Sequence, residues 1–264
     1  MTKDTGSLLP ASERVEILVA GPFDDPEDGF GLQQAVLEEV AAGERGPTAL
    51  MWTSSRYVGA TRQETRLPGF AAATEAAAEL GFPVLVRNSG GGAVAANRGS
   101  LSFSLTFPVE DLRHGLYERY SEGLDLIASA LRRIGVEAED GEVEGEFCPG
   151  AYSVRSGGPC GVKHAGLAQR VTRRSARLEA LILVSETDEV RTVLESVYGL
   201  LGLPFRPGSI EDLPADVSRV IQALSKEVRR RYEAEEGRIG KRTIDRARSL
   251  RGEWRVILDT GSSL

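Results

Sequence analysis

Two residues in this sequence have neighbours that suit them to covalent chemistry. Cys148 lies in Gly145-Glu-Phe-Cys-Pro-Gly-Ala-Tyr152, a turn flanked by proline and glycine, so its thiol belongs to a loop and not to an apolar run. A thiolate there can take up an acyl group, and the resulting thioester stays activated enough for a lysine amine to attack it. Lys163, in Gly161-Val-Lys-His-Ala-Gly-Leu-Ala-Gln-Arg170, supplies a cation that can orient an acyl carbonyl and stabilise charge developing on its oxygen. Taken alone, each has a plain alternative: a loop cysteine without chemistry and a solvated surface lysine.

A third segment can hold what those two would act on. Arg87-Asn-Ser-Gly-Gly-Gly-Ala-Val94 sets a cation, a hydroxyl and three consecutive glycines between two expected strands. Backbone N–H groups in such a turn can cradle a carboxylate, a phosphate or an acyl carbonyl. The glycines are not spaced as a dinucleotide fingerprint, the chain after Ala93 reads as extended, and no G-K-[ST] phosphate loop exists. Cys160 is the second-ranked thiol, in a glycine-rich turn three residues before Lys163. Two histidines, His114 and His164, and no C-x-x-C pair make a metal site a poor reading, and neither histidine is given a catalytic role.

The elements that must position these segments follow from periodicity. Strands are expected at Val15–Ala20, Ala49–Thr53, Phe82–Arg87 and Leu101–Phe107, the last alternating apolar and small polar residues. Shorter strands are expected near Gly141–Val143, Ala151–Val154, Gly166–Val171 and Leu178–Leu183. Apolar residues at helical spacing predict helices over Phe30–Val40, Gly69–Leu80, Glu110–Ile134, Asp188–Leu201 and Ile210–Glu235, followed by a charged tail. Gly21–Asp28 reads as a loop. Helices mix with paired strands and no regular βαβ alternation appears, which predicts an α+β fold with mixed or antiparallel sheets.

With 264 residues, 41% of them hydrophobic, the chain can bury one large core. The first dozen residues are polar and read as a disordered N-terminus without a signal-peptide core. Two cysteines make no disulfide framework, so a cytoplasmic protein with free thiols is expected. No run approaches a membrane span. A net charge of -7 argues against a nucleic-acid partner, and the basic residues at Arg229–Arg231 and Arg238–Arg251 read as a solvated helix face.

A family resemblance joins the three segments. Arg87–Leu105 resembles the R-x-S-G-G-x-A-V…G-x-L-x-x-S signature of the lipoate–protein ligase, octanoyltransferase and biotin ligase superfamily, and Gly161–Arg170 resembles its G-x-K-[IL]-A-G-x-[AS]-Q-R strand. Glu146–Ser153 resembles the E-[FY]-C-P-G-x-[FY]-S segment of the cysteine-dependent octanoyl amidotransferases. Ligases often carry a histidine after the Ala-Val pair, where this chain has Ala95-Ala96-Asn97. His164 stands where the strand motif is usually aliphatic.

The resemblance implies a biotin/lipoate ligase-like catalytic domain over residues 13–205, an acyl-chain tunnel in a mixed sheet flanked by helices, and a helical C-terminal extension over 206–264. It implies Cys148 and Lys163 as catalytic residues, and Arg87, Ser89, Gly90, Gly91, Gly92, Ala93 and Gly166 as the acyl site. The implied activity is octanoyl or lipoyl transfer, without cofactor or metal, through a Cys148 thioester. The donor would be an octanoylated carrier, either the glycine cleavage H protein or an acyl-carrier protein, and the acceptor a lysine of the lipoyl domains of 2-oxoacid dehydrogenases. Two alternatives remain: a ligase using ATP and Mg without need of Cys148, and a non-enzymatic paralogue that binds lipoate or carrier domains.

Overall fold

The alternation of Leu101-Ser-Phe-Ser-Leu-Thr-Phe107 gives one strand two different faces, and the fold uses both. The computed structural model describes residues 14–110 and 115–256. In chain order its elements are β1 (Val15–Phe23), α1 (Pro26–Ala41), β2 (Thr48–Ser54), β3 (Tyr57–Thr61), α2 (Phe70–Glu79), β4 (Val84–Arg87), β5 (Val94–Ala96) and β6 (Ser100–Pro108). There follow α3 (Leu116–Arg133), β7 (Glu139–Asp140), β8 (Ser153–Ser156), β9 (Val162–Val171), β10 (Ser175–Leu183), α4 (Thr187–Leu201), α5 (Val217–Arg231), β11 (Ala234–Glu236) and α6 (Lys241–Ser249).

The large sheet runs β11-β1-β2-β6-β10-β9-β8-β7 and the small one β4-β3-β5. Parallel pairs β1/β2 and β3/β4 need crossovers, which α1 and α2 supply; β6, β10, β9 and β8 are antiparallel neighbours. This is the expected α+β class with mixed sheets.

Leu101, Phe103, Leu105 and Phe107 point to one side, where they join Leu178, Ile182, Leu126, Ile127, Leu131 and Leu224 in a core under α3 and α5. Ser102, Ser104 and Thr106 point to the other side, toward α1. Small side chains there keep the floor of that face low, and the candidate site opens above it. A second core, between the small sheet, α2 and α4, includes Val58, Phe70, Ala93, Phe147 and Tyr198.

Several expected boundaries move. β1 runs on to Phe23, and α1 begins at Pro26 because Asp25 caps it, accepting from the Glu27 N–H at 2.9 Å. The strand Tyr57–Thr61 was not anticipated; it is five residues long and interrupted by Gly59. The helix expected from Glu110 is described from Leu116; Leu112 and His114 lie outside the described residues, as does the expected disordered N-terminus. The helix expected over Ile210–Glu235 is α5 alone, started by Asp216, whose carboxylate accepts from the Arg219 N–H at 2.8 Å.

The 206–264 segment is not simply a helical extension. β11 extends the large sheet by pairing with β1, α6 packs on α1, and the Trp254 carbonyl accepts from the Val86 N–H at 2.7 Å. Among the described residues no helix is long and apolar enough to cross a membrane, and no His/Cys/Asp/Glu group could hold a metal ion.

Candidate active site

Lys163 owes its direction to a defect in the sheet. Val154 pairs with Ala165, but the next residue of β8, Arg155, pairs with Lys163, so β9 carries one extra residue, His164. Strand side chains alternate, and residues three apart would normally point to opposite faces. The bulge breaks that phase. A Cβ placed on Gly166 would sit 3.0 Å from Lys163 Cε and 3.2 Å from its Nζ, so the lysine lies across Gly166 and a side chain at 166 would displace it.

The Lys163 ammonium is fully buried and directed at the cysteine loop. It donates to Glu146 Oε1 at 3.1 Å, to the Phe147 carbonyl at 2.8 Å and to the Cys148 carbonyl at 3.1 Å, and it lies 4.5 Å from the centre of the Phe147 ring. Glu146 also accepts from the Val143 N–H at 3.0 Å and the Ser153 hydroxyl at 2.7 Å. A buried ion pair persists only when its remaining polar atoms are satisfied, and this one is.

Cys148 itself sits at φ 45°, in the left-handed region that a side chain rarely adopts. Its C=O is held by Lys163, and its N–H donates to the Tyr198 hydroxyl at 2.6 Å. Its sulfur lies 3.0 Å from the Gly92 N–H and 3.8 Å from Arg87 Nη2. Desolvation pushes the Tyr198 phenol far above its ordinary range.

The glycine loop contributes unequally. Gly92 donates to the sulfur; Gly91, at φ +95°, leaves a gap that a Cβ would fill at 2.6 Å from Sγ; Gly90 has nothing within 4 Å of where a Cβ would stand. Arg87 Nη1 donates to the Ser89 hydroxyl at 2.9 Å and Nη2 to the Gly92 carbonyl at 2.6 Å, while its buried Nε finds no partner. Ala93 is fully buried; its N–H donates to Glu64 at 2.5 Å and its C=O accepts from Tyr198 at 2.8 Å.

Cys148, Lys163, Arg87 and Gly166 border one cleft, with about 600 Å³ of space between protein atoms, its open mouth included. Its far wall is Phe30, Trp52, Tyr57 and Leu181, with Gln33 and Glu179 beside them. Trp52 Nε1 donates to Gln33 Oε1 at 3.0 Å, and burial pushes the Tyr57 phenol up to about 12. Cys160 is exposed in its turn, and His164 is buried beside Ser156, its Nε2 2.8 Å from the hydroxyl. Neither Cys160 nor His164 borders the cleft.

Sequence reasoning quoted Glu146 within a motif but gave it no role, and missed Glu64 and Tyr198. No local signal marks Glu64, and Tyr198 reads as one more apolar position on α4.

The fold is that of lipoate ligases of known structure. A lipoate-protein ligase A bound with ATP superposes with TM-score 0.72 at 18% identity, covering 90% of this chain and 93% of that one. A bi-partite lipoate protein ligase from Thermoplasma acidophilum gives 0.68 at 16% identity, covering 90% and 92%. The lipoyl protein ligase A/B catalytic domain family matches residues 25–230, and the chain belongs to that family. Among its relatives is the octanoyl-[GcvH]:protein N-octanoyltransferase of Geobacillus kaustophilus, 31% identical over 182 residues, 69% of this chain and 63% of that protein. The enzyme of the same name from Bacillus velezensis is 31% identical over 187 residues, 71% and 64%. The lipoyl-[GcvH]:protein N-lipoyltransferase of Listeria monocytogenes is 25% identical over 173 residues, 66% and 61%. The chain thus spans less than two thirds of the length of these curated relatives.

Proposed function

We propose that this protein is an amide-to-amide acyltransferase that moves an octanoyl group from the glycine cleavage H protein to lipoyl domains through a thioester on Cys148. The observation that carries it is the Cys148 sulfur bordering the cleft, 3.0 Å from the Gly92 backbone nitrogen. The relatives named for octanoyl transfer from GcvH support this choice of donor. The Cys148 thiol attacks the acyl carbonyl of the octanoyl-lysine; the C–N bond breaks, and the proton given up by the thiol goes to the departing lysine nitrogen, which leaves as the amine. The acceptor lysine amine then attacks the thioester, the C–S bond breaks, and the proton the amine gives up returns to the sulfur, regenerating the thiol. One amide is made for each one broken, so the sum needs no ATP. Lys163 orients the loop, and exchanges one of its carbonyl acceptors for the acyl oxygen as charge builds there.

The acyl chain lies in a tunnel across the sheet. Gly166, Leu181, Ser102 and Trp52 stand opposite one another on four neighbouring strands, and all four border the cleft. Three strand spacings make about 14 Å. This row sets the direction in which the acyl chain extends, with the Trp52 indole at its end.

Intact-protein mass spectrometry after mixing with octanoylated H protein, without ATP, tests this. A hydroxylamine-labile octanoyl adduct, lost in Cys148→Ala but kept in Cys160→Ala and discharged by a lipoyl domain, is the expected result. ATP-dependent modification of a lipoyl domain that survives Cys148→Ala would overturn it in favour of a ligase.

A further inference from the structure

Gly92 of the glycine loop and Cys148 of the cysteine loop are 56 residues apart in sequence, and no covalent link sets the distance between the two loops. One side chain bonds to both. The Tyr198 hydroxyl, on α4, accepts from the Cys148 N–H at 2.6 Å and donates to the Ala93 carbonyl at 2.8 Å. On the far side of the same residue, the Ala93 N–H donates to Glu64 Oε1 at 2.5 Å, while Glu64 Oε2 accepts from the Thr61 N–H at 2.9 Å and its hydroxyl at 3.2 Å. Ala93 is therefore gripped by its N–H and by its C=O, and the residue before it, Gly92, carries the N–H that meets the sulfur.

We propose that Tyr198, braced by Glu64 through Ala93, is the positioning residue that holds the Cys148 sulfur against the Gly92 N–H and thereby sets the reactivity of this thiol. Both residues are buried, Tyr198 to 1% and Glu64 to 5% exposure, and neither borders the cleft. Cys148 has a backbone conformation that costs free energy, and Lys163 restrains only its carbonyl. Without the phenol the amide side of the residue is unheld, and the sulfur is free to leave the Gly92 N–H. The phenol also keeps its proton throughout the working range, because burial opposes its ionisation, so the bond to Ala93 is permanent and not a proton relay.

This inference takes Cys148 as the acyl-accepting thiol of the preceding reading, but its test does not depend on the substrate. Cys160, exposed and outside the site, is an internal standard. Brief alkylation with iodoacetamide, followed by peptide mass spectrometry, gives the ratio of modification at Cys148 to that at Cys160 within one sample.

Tyr198→Phe keeps the ring and removes both bonds. Its ratio should fall about tenfold, the size expected of losing one or two hydrogen bonds. With octanoylated H protein, kcat should fall by a similar factor while KM stays the same, a split that general loosening of the fold would not give. Glu64→Gln leaves one acceptor too few for Ala93 and Thr61 together and should lower the ratio about threefold, and it serves if Tyr198→Phe does not fold. A folded Tyr198→Phe, or a folded Glu64→Gln in its place, whose ratio is unchanged or raised, overturns the proposal. A wild-type protein that takes up no octanoyl group, but whose ratio still falls in Tyr198→Phe, sinks the transfer reading and leaves the clamp standing.

Discussion

The Lys163 ammonium and the Glu146 carboxylate meet at 3.1 Å with side chains 1% and 0% exposed, so the charge behind the cysteine loop is cancelled where water cannot reach it. Removing one partner leaves the other as an uncompensated buried charge. Glu146→Ala is therefore expected to cost about 3 kcal/mol or more of stability, read as a lowered denaturant midpoint. The double variant Lys163→Met with Glu146→Gln should recover much of that stability, since no charge stays buried. It should still fail to load an acyl group on Cys148, because nothing then holds the Phe147 and Cys148 carbonyls. A double variant that loads normally would remove Lys163 from the mechanism.

Trp52 closes the row that begins at Gly166. If the acyl chain runs along this row as proposed, Trp52→Val should lengthen its site and raise the use of ten- and twelve-carbon chains relative to octanoyl by about tenfold in kcat/KM for each acylated donor. The same substitution takes a donor from Gln33, so some loss of stability is expected with it. If competing donors of different chain length load in unchanged proportion, the chain does not run toward the indole.

His164 gives the protein an acid-sensitive point. Burial lowers its pKa from 6.5 to about 4. The unfolded chain then binds a proton that the folded chain refuses between these values, so the neutral histidine's contribution is complete above pH 6.5 and is lost as pH falls toward 4. The span corresponds to on the order of 3 kcal/mol. Melting temperature should drop across this window, and His164→Leu should drop less steeply than wild type while matching it near pH 7.5. Parallel curves for the two proteins would rule out His164 as the titrating group.

How far the sequence foretold this arrangement depends on whether the information was local. Ser102, Ser104 and Leu101–Phe107 were legible because strand alternation is a property of seven consecutive residues. Cys148 and the glycine loop were legible because turns have their own residue types. That the sulfur would lie against Gly92 was not, for 56 residues separate them and a third element, α4, carries the side chain that joins them. The direction of Lys163 was hidden for another reason. It depends on a one-residue bulge at His164, and shifting a strand's phase by one residue leaves the apolar pattern of a strand buried on both faces almost unchanged. The C-terminal segment misled in a third way: β11 is only Ala234–Glu236, too short and too acidic to read as a strand, and it exists because β1 offers an open edge.

The glycine loop offers a controlled comparison, since Gly90 and Gly91 are adjacent and look alike in sequence. Gly91 has φ +95°, and a Cβ there would lie 2.6 Å from the Cys148 sulfur and 3.0 Å from Arg87 Nη2. Gly90 has neither a left-handed backbone nor any atom within 4 Å of that point. Gly91→Ala must therefore push the sulfur off the Gly92 N–H or distort the loop, whereas Gly90→Ala meets only solvent. Octanoyl loading of Cys148 should fall more than tenfold in Gly91→Ala, in line with loss of one charge-assisted hydrogen bond of about 1.5–3 kcal/mol. It should stay within about twofold of wild type in Gly90→Ala, where a surface substitution costs little. Single-turnover rates by mass spectrometry separate the two. Equal losses in both variants would mean that the loop binds substrate along its whole length and does not act through its contact with the thiol.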